Sequence, residues 1–322
     1  MKSTSNPIGF FDKINSSVLL AVTPEYGQIK AARIEGAGRI SPSSRPQVMQ
    51  PEYRTIAGVK VRVAEGGKQN GPVVLLLSPL PQSILFYDLI WNRIGEQCRL
   101  VALDLPGFGR SEGGLEFMSF EAQSRFLDKF VRALNLKQMH IVGPDVGMPA
   151  ALHYAIHRDH EAASLIIGDG PGILPTANGS IINKAVNSGF WRMMFKITGA
   201  GAFVDGGVRL ALVNYSPSAE EIADYVASYK GRIGPITHWF ATYPENLATV
   251  DPHLAELDLP VKVFWGDLDQ FLLVDNAHRL NQRLKRSDLQ VFEKCGHFSY
   301  QDKADDFAEM ILRWVGGGYK KV

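Results

Sequence analysis

The residues best suited to catalyse a reaction lie in a short glycine-containing segment, Val142-Gly-Pro-Asp-Val-Gly147. An apolar strand pattern precedes this segment, and a helical pattern begins behind it at Met148. Small residues two positions before and after a central side chain are typical of a nucleophile elbow. In such an elbow, glycines permit the sharp turn that lifts one side chain above a sheet. The central residue here is Asp145, so the sequence predicts a carboxylate as the attacking group.

The elements that must position Asp145 follow from alternating apolar and helical patterns. Short apolar runs, each ending in a Gly, Pro or Asp cluster, predict strands buried on both faces, and two alternating runs before them predict an antiparallel hairpin. Strands that alternate with helices indicate an α/β fold with a mostly parallel central sheet flanked by helices. The predicted strands are Tyr53–Ile56, Val59–Val63, Val73–Leu77, Leu100–Leu105, His140–Val142, Ser164–Ile167 and Val261–Trp265, and the predicted helices are Phe120–Leu136, Met148–His157, Asn276–Leu284 and Ala304–Val315.

The interval 171–259 breaks this alternation, because it holds helical patterns rich in aromatic residues and no convincing strand. An insertion of this size predicts a helical lid above the carboxyl edge of the sheet, where open α/β sheets bind ligands. A structural insertion that only packs on the core is the alternative. Segments 51–170 and 260–322 then form the core. Residues 1–50 form an appended N-terminal arm, for which a loosely ordered tail is the simplest expectation.

From about Tyr53 to its carboxyl end, the chain resembles the α/β-hydrolase superfamily. Besides the elbow, Asp104-Leu-Pro-Gly-Phe-Gly-Arg-Ser111 is similar to the family's loop after the fourth strand. Trp265-Gly-Asp-Leu-Asp-Gln-Phe271 resembles its acid loop, and Cys295-Gly-His-Phe298 resembles its histidine loop. The resemblance implies an α/β-hydrolase fold with the helical lid inserted before the seventh strand.

The same resemblance implies a catalytic set in the order nucleophile, acid, histidine, which is the order this fold uses. The set consists of Asp145, Asp269 and His297. Asp169 is a rival acid, because some dehalogenases that resemble this chain carry theirs after the preceding strand. Asp269 is favoured since its loop matches the family better.

An Asp at the elbow resembles the epoxide hydrolase and haloalkane dehalogenase branch. A carboxylate displaces a leaving group at an sp³ carbon and forms an alkyl ester, which water then hydrolyses. In this branch His297 would activate the water and Asp269 would fix the histidine tautomer. The oxyanion hole needs two backbone N–H groups, that of Val146 and, by resemblance, that of Leu80. The loop Ser78-Pro-Leu-Pro81 departs from the family, which carries His-Gly-x-Pro there.

The leaving group is specified less well. Dehalogenases of this type place Trp directly after the nucleophile, whereas Val146 has no side-chain donor. Epoxide hydrolases protonate the epoxide oxygen with lid tyrosines, and this chain has Trp239 or Phe240 where the second is expected. Tyr243 lies on the same helical face as Trp239 and is the expected catalytic acid, with a packed lid aromatic as the alternative. The expected substrate-binding residues are Trp191, Trp239, Tyr215 and His238, of which Tyr215 and His238 are weaker candidates for the acid.

The composition of the chain limits the kinds of partner that it is expected to bind. With 34 basic and 33 acidic residues the net charge is +1, so no global field attracts nucleic acid or an anionic membrane. Cys98 and Cys295 are too few for a disulfide framework, which favours a cytoplasmic location, and no run reaches transmembrane length. We therefore expect no membrane or nucleic-acid partner, no cofactor and no metal. We expect a monomer or homodimer acting on a small apolar molecule.

These observations predict a cofactor-independent hydrolase, closest in pattern to epoxide hydrolases. A haloalkane dehalogenase with an atypical halide site is the first alternative. A fold member that has lost hydrolysis and binds a ligand is the second, and the intact set of Asp145, Asp269 and His297 weighs against it.

Overall fold

The computed structural model describes residues 7–35 and 47–322, so residues 1–6 and 36–46 of the predicted arm lie outside it. An eight-stranded sheet runs in the order β1-β2-β4-β3-β5-β6-β7-β8. The pairs β1–β2 and β2–β4 are antiparallel and the others are parallel, which confirms the predicted mostly parallel sheet. The strands are β1 Glu52–Ile56, β2 Val59–Gly67, β3 Val73–Leu77, β4 Arg99–Leu103, β5 Met139–Pro144, β6 Ala162–Gly168, β7 Val261–Gly266 and β8 Ser287–Phe292.

The central strands form because their continuous apolar runs are covered on both faces. Every residue of β5 and β7 is buried, as are four of the five residues of β3 and of β4. Strand β8 was not among the predicted strands. It closes the edge of the sheet beside β7, and because it is only partly covered, its sequence Ser-Asp-Leu-Gln-Val-Phe lacks the continuous apolar run of a central strand.

Helices flank this sheet. The helices of the described residues are α1 Phe10–Ala21, α2 Tyr26–Glu35, α3 Trp91–Gly95, α4 Phe120–Ala133, α5 Gly147–His157, α6 Ser180–Asn187, α7 Gly189–Ala211, α8 Ala219–Tyr229, α9 Ile233–Leu247, α10 Asp275–Arg283, α11 Ser299–Asp302 and α12 Ala304–Val315. Helices α6 to α9 lie between β6 and β7 in the chain and pack on one another. None of these helices is long and apolar enough to cross a bilayer.

Helix α7 is broken at Gly199, whose φ of 79° lies in the left-handed region. Beyond the break, α1 packs along α7. A Cβ on Gly201 would lie 2.4 Å from the carboxyl carbon of Asp12, so the absence of a side chain there permits the close approach. The guanidinium of Arg33 donates to the carbonyl of Leu212 at 2.7 Å, at the end of α7. Residues 10–35 therefore form two packed helices, which differs from the expectation of a loosely ordered arm.

Candidate active site

The elbow between β5 and α5 depends on two glycines. A Cβ on Gly143 would lie 2.6 Å from the carbonyl oxygen of Gly147, and a Cβ on Gly147 would lie 3.0 Å from the Cβ of Leu77. Asp145 itself has a φ of 48°, in the left-handed region that few residues with a side chain adopt. This tight turn places the Asp145 carboxylate at the wall of a pocket above the sheet.

Two backbone N–H groups donate hydrogen bonds to that carboxylate. The N–H of Leu80 donates to Oδ2 of Asp145 at 2.6 Å, and the N–H of Val146 also donates to the carboxylate. The structure thus brings together the two predicted oxyanion-hole residues. Although Pro79 replaces the family's glycine in this loop, the Leu80 N–H is aimed at the carboxylate.

The imidazole of His297 lies between two carboxylates. Its Nδ1 is 2.8 Å from Oδ2 of Asp269, and its Nε2 is 3.8 Å from Oδ1 of Asp145. The other oxygen of Asp269 accepts the N–H groups of Phe271, at 2.8 Å, and Leu272, at 3.0 Å. Because Asp269 is held on both sides, it fixes the ring so that Nε2 faces the elbow.

Asp169, the rival acid, occupies a different position. Its Oδ1 accepts the N–H of Gly266 at 3.2 Å, and its Oδ2 accepts the N–H of Ser299 at 3.3 Å and the hydroxyl of the same residue. Within the described chain, Asp269 hydrogen-bonds the His297 ring and Asp169 does not. Asp169 instead ties the loop after β7 and the start of α11 to the end of β6.

Burial and mutual charge interactions shift the pKa values of ionisable groups in the site. Burial raises the pKa of Asp145 to about 6, against the lowering effect of His297 and of the two N–H donors. Burial lowers the pKa of His297, but Asp269, Asp145 and Asp169 outweigh it and raise this pKa to about 9. Burial, with the nearby Asp269, also raises the pKa of Asp169 well above its ordinary value. The resting site therefore favours an ionised Asp145 beside a protonated His297 at neutral pH.

The pocket above Asp145 is apolar and holds about 860 Å³ of empty space, its open mouth included. Asp145 and His297 are the only charged or titratable groups among its described lining residues apart from the phenol of Tyr243. Four helices contribute much of the remaining wall. Examples are Leu19 and Leu20 from α1, Ile182 from α6, Phe195 from α7, and Trp239 and Tyr243 from α9.

Two aromatic residues of α9 supply the pocket's candidate donors. The hydroxyl of Tyr243 donates to Oδ1 of Asn178 at 2.7 Å, and burial raises the pKa of Tyr243 to about 12. Tyr243 thus keeps its proton at neutral pH. The ring of Trp239 lies 5.3 Å from that of Tyr243, and in residues 7–35 and 47–322 its indole N–H has no hydrogen-bond acceptor.

Three predicted substrate-binding residues lie elsewhere, because none belongs to the described pocket lining. Trp191 is half-buried beneath Lys184, whose Nζ lies 4.8 Å from the ring centre. The hydroxyl of Tyr215 donates to Glu221 at 2.9 Å, in a buried polar cluster. His238 points to solvent from α9.

Sequence reasoning missed the contribution of the arm to this pocket and the contact of Asn178 with Tyr243. Leu19, Leu20 and Thr23 line it, although the arm precedes the first core strand. The signal was the short apolar stretch from Ser17 to Val22, but no local pattern showed that it packs beside α7. Asn178 lies outside the helices and strands, in an isolated β-bridge with Leu272, and its side chain accepts the hydroxyl of Tyr243.

The histidines of α5 are engaged in other contacts. Nδ1 of His153 lies 2.8 Å from the hydroxyl of Ser124, and Nε2 of His157 lies 2.6 Å from the carbonyl of Thr249. Over the part of the chain that the structure describes, no group of three or more His, Cys, Asp or Glu side chains is arranged to hold a metal ion.

Comparison with known proteins gives one family and several similar folds. A family model described as alpha/beta hydrolase fold matches residues 72–304. The 2-hydroxy-6-oxononadienedioate/2-hydroxy-6-oxononatrienedioate hydrolase of Klebsiella pneumoniae is 23% identical over 225 residues, which cover 67% of this chain and 76% of that protein. The hydrolase of the same name from Paraburkholderia xenovorans is 23% identical over 230 residues, with the same two coverages.

Solved structures share this fold at lower identity. A loop variant of the haloalkane dehalogenase DbeA from Bradyrhizobium elkanii has a TM-score of 0.71 at 20% identity, covering 85% of this chain and 98% of its own. The epoxide hydrolase CorEH has a TM-score of 0.69 at 21% identity, and the match covers 82% of this chain and 98% of that one. A membrane phospholipase A has a TM-score of 0.69 at 19% identity, and the match covers 96% of this chain and 93% of that one.

Proposed function

Because the chain is a hydrolase that belongs to the α/β-hydrolase-fold family, we propose that it cleaves its substrate through an alkyl ester on Asp145. One observation carries this proposal. Oδ2 of Asp145 accepts the N–H of Leu80 at 2.6 Å, while Oδ1 lies 3.8 Å from Nε2 of His297, and both residues line the pocket. One carboxylate oxygen is therefore fixed as the future ester carbonyl, and the other remains available for attack.

In the first step, Oδ1 attacks an sp³ carbon of the substrate. A new bond forms between Oδ1 and that carbon, and the bond to the leaving group breaks with both electrons going to the leaving atom. The ester carbonyl oxygen, Oδ2, keeps the hydrogen bond from the N–H of Leu80 throughout. Ionised Asp145 is the attacking form, and its pKa of about 6 leaves it ionised at neutral pH.

In the second step, neutral Nε2 of His297 removes a proton from water, and the water oxygen attacks the ester carbon. Negative charge collects on Oδ2, where the N–H groups of Leu80 and Val146 stabilise it. The intermediate collapses, the alcohol leaves with a proton from His297, and Asp145 keeps one oxygen from the water. Asp269 holds Nδ1–H and stabilises the transient imidazolium.

The pocket chemistry selects an apolar, uncharged substrate. Its described lining residues include no Lys or Arg, and protonated His297 already lies between Asp145 and Asp269, so a dicarboxylate of the kind in the curated relatives' name has no unpaired counter-charge there. We assign helices α6 to α9 the role of a lid, since Ile182, Phe195, Trp239 and Tyr243 face the same pocket as Asp145. The enclosed apolar wall suits a ligand of modest size.

An epoxide is the substrate class we favour. Ring opening produces a strongly basic alkoxide, which needs a proton donor, and Tyr243 brings a protonated phenol to the pocket wall. A haloalkane is the second candidate. The observation in its favour is the free indole N–H of Trp239 among the described residues, because a halide needs a hydrogen bond and no proton. The complete nucleophile, acid and histidine set weighs against a ligand-binding protein without hydrolysis.

The test is to stop the reaction after the first step. A His297→Gln variant incubated with styrene oxide should accumulate a covalent adduct, visible by intact mass, because ester formation does not require the histidine. Asp145→Asn is the matched control, since Asn tolerates the left-handed backbone of the elbow, and it should form no adduct. The same pair of variants is run with 1-bromohexane.

Isotope labelling gives a second readout. Under single turnover of the wild type in heavy-oxygen water, label should enter the Asp145 carboxylate, because water attacks the ester carbon. Label found only in the product, together with no adduct in the His297 variant for either substrate, would show that water attacks the substrate directly.

A further inference from the structure

Helix α1 has two apolar faces, and only one of them is packed. Leu19 and Leu20 are buried against α7 and the pocket. Along the other face run exposed apolar side chains, with 74% of Phe10 and 78% of Phe11 accessible. Ile14 and Val18 continue this face, one helical turn apart, and are also exposed. Core packing does not explain the outer face.

The first half of α7 extends the same surface. Phe190, Met193 and Ile197 recur at intervals of three and four residues and are exposed. Helices α1 and α7 run in parallel, since Asp12 lies against Gly201 and Ser16 bonds to Asp205. The start of α1 therefore meets the break at Gly199, immediately after the exposed face of α7. We name the combined surface the mouth patch, which comprises Phe10, Phe11, Ile14, Val18, Phe190, Met193 and Ile197.

The two helices that carry the mouth patch also form part of the pocket wall. Leu20 of α1 and Phe195 of α7 line the cavity from the inner faces of the helices whose outer faces are exposed. Apart from Asp145 and His297, the pocket lining is largely apolar, and the pocket is partly open. Seven large apolar side chains exposed on two packed helices are typical of an interaction site in a folded protein.

The charges around the mouth patch are mostly basic. Lys13 and Lys196 are exposed within its two stretches of sequence. Asp12, the acidic residue there, is turned inward, where it accepts the N–H of Gly9 at 3.1 Å and lies beside Gly201. Lysines flanking a helical apolar face suit acyl chains beneath anionic headgroups.

We propose that the mouth patch docks on an anionic lipid surface, with α1 lying in the plane of the interface and the pocket beside it. An apolar substrate dissolved in the lipid would then reach the pocket without crossing water. This differs from the expectation of no membrane partner, which rested on the net charge and on the lengths of the apolar runs in the sequence. The mouth patch arises only when α1 packs beside a helix far away in the chain. Docking does not depend on the chemistry at Asp145.

The test is flotation of the full chain with vesicles of equimolar phosphatidylglycerol and phosphatidylcholine. The wild type should float with them, and a Phe11→Ser/Ile14→Ser/Val18→Ser variant should partition at least about tenfold less, because each loses buried apolar area. Leu115→Ser is the matched control, since Leu115 is 60% exposed, as Val18 is, but lies outside both helices. A Lys13→Glu/Lys196→Glu variant should lose binding to these vesicles, as should the wild type at high salt.

Circular dichroism and thermal unfolding establish that each variant is folded. A wild type that fails to float with the anionic vesicles would overturn the proposal, and so would a triple serine variant that floats as well as the wild type. Light scattering addresses the competing occupant. A wild-type dimer that the triple serine variant splits, with no vesicle binding, would assign the mouth patch to a second copy of the chain.

Discussion

Nε2 of His297 lies 3.8 Å from Oδ1 of Asp145, too far for a direct hydrogen bond but close enough for strong charge coupling. Burial lowers the pKa of His297, and the carboxylates of Asp269, Asp145 and Asp169 together raise it to about 9. Formation of an ester on Asp145 removes one of these negative charges. The base needed for the second step is therefore easier to deprotonate after the first step than before it.

The first prediction concerns this coupling. Asp145→Asn should lower the pKa of His297, because it removes one carboxylate charge while leaving the hydrogen bond to Asp269. NMR titration of the imidazole measures the change. His140, whose pKa burial lowers to about 4, serves as an internal control and should not move. An unchanged pKa of His297 would show that Asp145 contributes nothing to its protonation.

The second prediction is a pH dependence of stability. The folded-state pKa of His297 lies above its ordinary value of 6.5, so the protonated ring stabilises the fold. That stabilisation is complete below about pH 6.5 and is lost as the pH rises toward about 9. Urea unfolding at a series of pH values should show a decline over this window that His297→Gln reduces. Equal declines in both proteins would exclude a raised pKa.

The third prediction separates the two candidate acids. Asp269→Asn should slow ester hydrolysis by roughly 10² to 10⁴, because the ring loses the acceptor that holds its tautomer. The adduct should then accumulate on the wild-type nucleophile. Asp169→Asn is the matched control and should hydrolyse the ester faster than Asp269→Asn, since it leaves the His297 hydrogen bond in place. The reverse order of rates, measured by rapid quench, would make Asp169 the acid.

The fourth prediction separates the leaving groups. Tyr243→Phe should slow adduct formation from styrene oxide by roughly 10² to 10⁴ and leave that from 1-bromohexane nearly unchanged, because only the alkoxide needs a proton. Trp239→Phe removes the indole N–H and should affect the bromoalkane more. If Tyr243→Phe alkylates on styrene oxide at the wild-type rate, Tyr243 is a packing residue.

The sequence predicted those parts of the fold and the site that depend on local residue patterns. Continuous apolar runs identified the central strands, and the spacing around Gly143 and Gly147 identified the turn that presents Asp145. Strand β8 escaped because a partly covered edge strand has no continuous apolar run. Leu19 and Leu20 reach the pocket, and Asn178 reaches Tyr243, only through long-range packing, which periodicity does not encode. For the same reason, Trp191 and His238 could not be distinguished from Trp239 and Tyr243 before the orientation of each helix was known.

The fifth prediction tests whether the elbow requires its glycine. In Gly143→Ala, the new Cβ would lie 2.6 Å from the carbonyl oxygen of Gly147, and because that atom is backbone, the turn itself must shift. We expect a loss of about 1–3 kcal/mol in the free energy of unfolding and slower adduct formation, since Asp145 moves away from the Leu80 N–H. Gly234→Ala in α9 is the matched control.

A Cβ on Gly234 meets no atom within 4 Å, so that variant should match the wild type or gain up to about 1 kcal/mol. Urea unfolding measures the stability of both variants, and the adduct assay in a His297→Gln background measures how well the carboxylate is presented. A Gly143→Ala protein with wild-type stability and wild-type adduct formation would show that the elbow can relax around a methyl group. The proposed role of the tight turn in aiming Asp145 would then be wrong.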